Sequence, residues 1–401
     1  MEPIYVPCPQ PPDWHLIDGF SLDPKDQKWH KPNLPKRLAD LAKASRGLTL
    51  DQIWEEIELN PVKYEEEIKW IKKMWYFRIY GYWFFNNGVP TYITGKHFYY
   101  IANFRIDCGY PKYRYRDRKY WLMIDFIRTH HYDFVTKDKN GRAVPIRQEE
   151  DGTNVYQMKD VGRRVFFGDV YPKMRREGAT YRAESNNCET ITKMRGAMGG
   201  IQSRTDTDSK NVFVEKLVRP WKQTWFFFKP IYAGSTSPKT ILDFDVPSKS
   251  VGGKGASAGV MVGLESAIDF RPGSEGAYDG TKLMFSHDDE VGKSIDIDVW
   301  ARWLIKKECL SQNFGLDIHG YCSNTSTVGE MIAGGGANFK MMCDMSDYYR
   351  RNELGQTDSG LVVFFISSAE GLEDDSYGNY DEVKGLRTIE IQRDSLLRNK
   401  N

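Results

Sequence analysis

At 401 residues the chain exceeds the usual size of one domain, so it predicts one large core with an attached region, or two domains. Its 28% charged and 40% hydrophobic residues are ordinary for a soluble protein, and no apolar run approaches the length of a membrane span. A net charge of +1 excludes an overall basic field, so any DNA contact must come from a local patch.

The first part of the chain carries Pro3, Pro7, Pro9, Pro11, Pro12, Pro24, Pro32 and Pro35 without sustained periodicity. Residues 1–48 therefore read as an extended arm, pinned by Trp14 and Trp29. A helix is expected from Thr49, where Thr49 and Gln52 form a capping-box pattern. Asn60-Pro61 reads as the N-cap and first position of a second helix, with Tyr64, Ile68, Ile71 and Trp75 as its core stripe. From Trp75 to Trp121 aromatic residues interleave with Lys and Arg. A base-stacking surface would use such residues, but a packed aromatic subdomain with a basic rim is the preferred reading. Residues 49–150 form this helical, aromatic N-terminal subdomain.

Beyond the acidic connection around Gln148 to Asn154 the pattern changes. Arg164–Pro172, Thr224–Tyr232, Thr240–Val246, Lys282–His287, Leu316–Cys322 and Gly360–Ile366 are expected strands. Helical stretches at Thr180–Met198 and Ile295–Ser311 fall between some of them. The alternation predicts an α/β core over residues 151–371 with a largely parallel sheet flanked by helices. Ser248–Gly263 reads as a Gly/Ser/Ala-rich loop. The six cysteines, Cys8, Cys108, Cys188, Cys309, Cys322 and Cys343, lack any CxxC or Cys/His cluster, which argues against zinc and for reduced thiols in a cytosol.

The segment Lys173-Met174-Arg175-Arg176-Glu177-Gly178-Ala179-Thr180 follows an expected strand and precedes an expected helix, the setting of a phosphate-binding loop. Gly178 supplies unusual backbone geometry and Thr180 a hydroxyl for Mg²⁺. Ala179 stands where such loops carry Lys, so the positive charge must come from elsewhere. Lys173 is the expected substitute, with Arg175 or Arg176 as a charge clamp. Gly292-Lys293-Ser294 and Gly253-Lys254 lack the flanking features of a cradle. About a hundred residues on, the apolar run ending in Asp288-Asp289-Glu290 reads as the acidic half of the same site. Asp289 is assigned to the metal, with Asp288 as its alternative, and Glu290 to water activation. His287 reads as a satisfied histidine. Ser323, Asn324, Thr325, Ser326 and Thr327 end another apolar strand and suit the sensing of a γ-phosphate, or a turn.

Taken in order, these segments resemble the ATPase part of the large terminase subunit of tailed bacteriophages, nearest to those of Bacteroidetes and crAss-like phages. The likeness covers roughly residues 75–375 and rests on Tyr92-Ile93-Thr94-Gly95-Lys96-His97-Phe98-Tyr99-Tyr100, Lys173 to Thr180, Ala277-Tyr278-Asp279-Gly280, Asp289 to Lys293, Ser326 to Met331 and Gly360-Leu361. The resemblance implies a P-loop NTPase fold of the ASCE type that uses ATP and Mg²⁺. It implies an early basic residue in the loop, met by Lys173, and makes Ser323 to Thr327 the segment coupling hydrolysis to DNA movement. It places Thr94–Tyr100 on the adenine side and calls for a trans-acting arginine, for which Arg175, Arg176, Arg271 and Arg302 are candidates. The implied partners are double-stranded DNA, the portal protein of the procapsid, a small terminase subunit and further copies in a ring. The implied location is the host cytoplasm and, transiently, the portal vertex. Such subunits also carry a nuclease domain, whereas residues 372–401 read only as the start of a linker or lid, with Glu373-Asp374-Asp375 a charged loop and Leu386–Asn401 a basic helix. The nuclease is therefore expected to be a separate part or lost by truncation. The rival readings are a helicase-like ATPase that remodels nucleic acid and an assembly protein that no longer binds nucleotide.

Overall fold

A computed structural model describes residues 2, 4–13, 17, 29–44, 50–86, 89–175, 177–232, 234–244, 263–294, 297–313, 316–327 and 335–366. Trp14, Thr49, Arg176, residues 328–334, nearly all of the 248–263 loop and the 367–401 segment lie outside them.

The N-terminal part contains α1 (Lys36–Ala44), α2 (Leu50–Leu59), α3 (Glu65–Tyr80), the hairpin β1 (Tyr82–Asn86) and β2 (Val89–Ile93), α4 (Gly95–Asn103) and α5 (Tyr115–Thr129). Three glutamates, Glu65 to Glu67, open α3 where the helix dipole favours negative charge, and Arg78 lies in its last turn. The helix starts later than Asn60-Pro61 predicts. The Asn60 amide turns back to donate to the Glu56 carbonyl at 3.0 Å, so residues 61–64 form turns before α3 begins.

The aromatic stretch is core. Trp121, Tyr99, Tyr100 and Tyr120 are fully buried, and Trp70 and Trp75 meet Trp225 and Phe228 edge-on at 5.2 and 5.1 Å. Trp29 packs against Tyr82 at 5.6 Å, as a pin for the arm should. The buried Arg78 guanidinium lies 4.6 Å over Tyr99 and donates to Thr192 Oγ1 at 2.6 Å, joining α3 to the sheet layer.

The sheet consists of β3 (Gly168–Lys173), β4 (Met198–Gln202), β5 (Ile241–Asp243), β6 (Ala267–Phe270), β7 (Phe285–Asp289), β8 (Tyr321–Thr327) and β9 (Leu361–Val363). Their order is β9-β3-β8-β7-β4-β6-β5, parallel throughout except for the β6–β5 pair. Alternation sends Tyr171 to the core shared with α4, α5 and α6 (Ala179–Ile191), and Val170 to the core shared with α7 (Val299–Cys309) and α8 (Gly335–Asp344). One buried cluster reaches from Leu38 to Ile366 and includes side chains from both sides of residue 150.

Several expected elements differ. Thr224–Tyr232 is not a strand: Phe226–Phe228 forms a 3₁₀ turn whose rings pack under Trp54, Trp70 and Trp75. The helix expected to run to Met198 stops at Ile191, because Met198 begins β4, and the next expected helix covers only Val299–Cys309. The Leu316–Cys322 strand is two pieces, the short Asp317–Ile318 and the sheet strand Tyr321–Thr327. A further helical stretch, residues 206–222, contains a π-helical segment at Val212–Val218.

Candidate functional site

The parallel strands end together at one sheet edge, where open α/β sheets bind their ligands. In the register Thr327 lies opposite Lys173, and Asp289 opposite Thr325. The strand carrying Ser323 to Thr327 thus separates the strand of the basic loop from that of the acidic pair.

The loop between β3 and α6 turns on Gly178, whose φ of 84° and ψ of 16° make it a left-handed N-cap. The helical ladder begins with the Arg182 N–H to the Gly178 carbonyl at 3.1 Å, leaving the N–H groups of Ala179, Thr180 and Tyr181 ahead of it. Such a helix start favours an anion. A Cβ at Gly178 would meet Arg114 and Tyr100 no closer than 3.8 Å, so only backbone conformation opposes a side chain there. Gly178→Ala is expected to cost about 1–2 kcal/mol in chemical denaturation, and Gly178→Asn less, since Asn tolerates the left-handed region.

Glu177, just before it, is buried and anchors the loop to the N-terminal part. It accepts from Arg116 at 3.0 Å, Arg182 at 2.9 Å and Tyr171 at 3.2 Å. Arg114 and Arg182 also flank buried Asp117, at 2.7 and 2.5 Å, and outweigh burial to hold its carboxyl down at about 2.

Lys173, Thr180, Asp289 and Glu290 converge at the mouth of this loop. The Lys173 Nζ lies 2.5 Å from Asp289 Oδ1, 3.4 Å from Glu290 Oε1 and 3.3 Å from Thr180 Oγ1. Thr180 Oγ1 is 3.3 Å from each Asp289 oxygen. Burial would lower the Lys173 pKa, but the two carboxylates reverse this and raise it. Burial likewise pushes both acids up, and Lys173, helped by His287 at Asp289 and by Lys293 at Glu290, more than compensates, leaving each below its ordinary value. Glu290 has φ 54°, rare for a residue with a side chain, and its carboxylate is held by Thr327 Oγ1 at 2.9 Å and Lys293 at 2.8 Å.

The hydroxyl-rich strand from Ser323 to Thr327 divides by depth along β8. Thr325 donates to Asp289 at 2.9 Å, and Thr327 reaches Glu290. Ser326 accepts the Gly292 N–H at 3.0 Å. Ser323 donates to Asp169, and Asn324 to the Asp169 carbonyl, deeper in the sheet. Burial pushes that Asp169 carboxyl up to about 7, against the hydrogen bonds of Tyr321 and Ser323.

Other assignments change. Asp288, the alternative metal ligand, faces the opposite side of β7 and is buried against Lys306 and Arg302. Arg302 is fully buried and donates to the Gly273 carbonyl at 3.0 Å, so it is a core residue and not one presented to another subunit. Arg271 is engaged by Asp269 at 3.2 Å and the Ala277 carbonyl at 2.7 Å. Arg175 is exposed on the loop, and Arg176 is outside the described residues. Thr94 caps α4 and the Gly95–Tyr100 run lies largely in the core, where its residues pack instead of lining the site cleft. Tyr278 braces β4 and β6 by accepting the Ile201 N–H at 2.9 Å and donating to Asp269 at 2.8 Å.

Several residues of the site carried no motif. Ser203 donates to the Asp289 carbonyl at 3.2 Å. Arg204 and Asp208, joined at 2.6 Å, line with Thr180, Asp289 and Glu290 a cleft of about 370 Å³. Glu215, on the π-helical segment, lines this cleft and a second one of about 460 Å³ beside Tyr181. Strand-end position would have pointed to Ser203 and Arg204, had β4 been recognised.

The donor set suits Mg²⁺: a hydroxyl and carboxylate oxygens, with few protein ligands, because this ion keeps waters and takes phosphate oxygens. No group of three or more His, Cys, Asp or Glu poised for a metal occurs among the described residues. The fold defines a class: a mixed α/β protein with a seven-stranded, mostly parallel sheet flanked by helices, compatible with Rossmann-like and P-loop folds. No protein-family model and no curated protein matches the chain. Among the described residues no helix is long and apolar enough to cross a membrane.

Proposed function

We propose that this chain is the ATPase part of a large terminase subunit, a P-loop NTPase of the ASCE type that hydrolyses ATP to drive double-stranded DNA into a procapsid. The observation that carries the nucleotide reading is the meeting of Lys173 with Asp289 and Glu290, across 116 residues of sequence, beside Thr180 and the start of α6. Lys173 and the loop amides hold the phosphates in place of the lysine missing at Ala179. Thr180 and Asp289 hold Mg²⁺, which when bound neutralises charge on the phosphate oxygens. Glu290 orients the attacking water, and Thr325 and Thr327 sense its surroundings from the neighbouring strand. Arg175 or Arg176 supplies further positive charge to the phosphates.

The packaging role rests on the terminase resemblance of the ordered segments. Its partners are then DNA, the portal of the procapsid, a small subunit and further copies in a ring, in the host cytoplasm and transiently at the portal vertex. Purified chain is expected to turn over ATP faster with double-stranded DNA and portal-bearing procapsids, and to render that DNA resistant to added nuclease. Stimulation by single strands alone would support a helicase-like remodeller instead. Absence of any turnover, even with procapsid, would support an assembly role without nucleotide.

A further inference from the structure

We propose that His287 and Glu184 are a positioning pair that fixes the direction of the Thr325 hydroxyl, and so decides which oxygen of Asp289 is offered to the cation. This rests on the Mg²⁺–nucleotide reading above. Glu184, His287 and Thr325 are fully buried and come from α6, β7 and β8. His287 Nδ1 lies 2.6 Å from Glu184 Oε1, and its Nε2 lies 3.1 Å from Thr325 Oγ1. Thr325 in turn donates to Asp289 Oδ1 at 2.9 Å.

Proton accounting gives this chain a direction. The Thr325 hydroxyl has one proton, and it goes to the Asp289 carboxylate, which only accepts. The Thr325 oxygen must then accept from His287, so Nε2 carries a proton. The remaining nitrogen, Nδ1, shares a proton with Glu184 whichever of the two owns it. With His287 donating, the Thr325 proton is committed to Asp289 Oδ1, whether or not Lys173 stays beside that oxygen. Asp289 Oδ2, which takes no hydrogen bond from Thr325, becomes the oxygen presented to the ion; Thr180 lies 3.3 Å from it, as from Oδ1. The pair touches neither substrate nor metal. It acts through Thr325, and it ties the helix that follows the phosphate loop to the sensing strand.

The test uses the full chain and a fluorescent ADP, titrated in EDTA and in rising Mg²⁺. His287→Leu is expected to bind ADP in EDTA as wild type does, and both it and Thr325→Val to need about 10–100-fold more Mg²⁺ for half of the Mg²⁺-dependent gain in affinity. His287→Gln retains an N–H for Thr325, and Glu184→Gln can donate to Nδ1 and preserve the Nε2–H form. Both are expected to stay within about threefold of wild type, well inside the loss that removal of such supporting groups causes. Unchanged Mg²⁺ dependence in the Leu and Val variants would overturn the proposal. So would a His287→Gln loss equal to that of His287→Leu, which would mark a packing effect. Should His287→Leu fail to fold, Thr325→Val, which keeps the side-chain shape, decides alone. Wild type that binds no ADP, or gains nothing from Mg²⁺, would instead defeat the nucleotide reading and this proposal with it.

Discussion

Replacement of Glu290 by Gln is expected to lower ATP turnover by about 10²–10⁴-fold while ATP binding persists, the size of effect that loss of a positioned base gives. The carboxylate is charged for this task, because Lys173 and Lys293 hold its pKa below the ordinary value against the opposing effect of burial. Its backbone sits at φ 54° and ψ 39°, a conformation a side-chain-bearing residue adopts only at a cost of roughly 1–3 kcal/mol, and such strain collects at functional sites. Gln preserves the volume and the contact with Thr327, so single-turnover hydrolysis should fall while equilibrium nucleotide affinity does not. Unchanged turnover in this variant would remove Glu290 from the chemistry.

Lys173→Met is expected to be the most destabilising of these changes, by about 3–5 kcal/mol near neutral pH, because it strips the buried Asp289 carboxylate of its nearest counter-ion, while Glu290 keeps Lys293. The side chains of Lys173 and Asp289 are only 6% and 10% exposed, so solvent screens little of this loss. The pH dependence has a definite sign. Asp289 and Glu290 have depressed folded-state pKa values, so their contribution is present above the unfolded carboxylate pKa and vanishes as pH falls through the folded one. Lys173 has a raised value, so its share is present below the unfolded lysine pKa and is lost as pH rises through the folded one. The gap between wild type and variant should therefore be widest between roughly pH 4 and pH 10 and close in acid. Urea midpoints across pH measure it, and Mg²⁺ should recover part of the loss by taking over from the ammonium. A gap of equal size at pH 3 and pH 8 would mean that packing, not charge, is what Lys173 supplies.

The strands Gly168–Lys173 and Phe285–Asp289 were legible because each is an apolar run ending in residues with chemistry, whereas Tyr321–Thr327 is mostly polar and only its first two residues fell in an expected strand. The strand Met198–Gln202 was not legible, since Met-Gly-Gly-Ile-Gln has neither β-branched density nor alternation. Its glycines answer to neighbours far along the chain. A Cβ on Gly199 would lie 2.3 Å from Asn187 Oδ1, and one on Gly200 2.7 Å from the Tyr278 ring. The opposite error came from Trp225-Phe226-Phe227-Phe228, where an unbroken apolar run has no period to separate a strand from a turn wedged among tryptophans. Lys173 was singled out by what Ala179 lacks, a local argument. Glu184, Ser203 and Lys293 were not found, because each belongs to the site only through contacts that the topology creates.

The most direct test is a crystal structure of the chain with Mg²⁺ and a non-hydrolysable ATP analogue. The triphosphate is expected in the loop from Lys173 to Thr180, with Lys173 turned from Asp289 onto phosphate oxygens and the ion on Thr180 and Asp289. A triphosphate bound elsewhere would contradict the account, for instance in the aromatic cleft of about 880 Å³ beside Phe126, His130 and Tyr348. Lys173 still paired with Asp289 beside a bound nucleotide would contradict it equally.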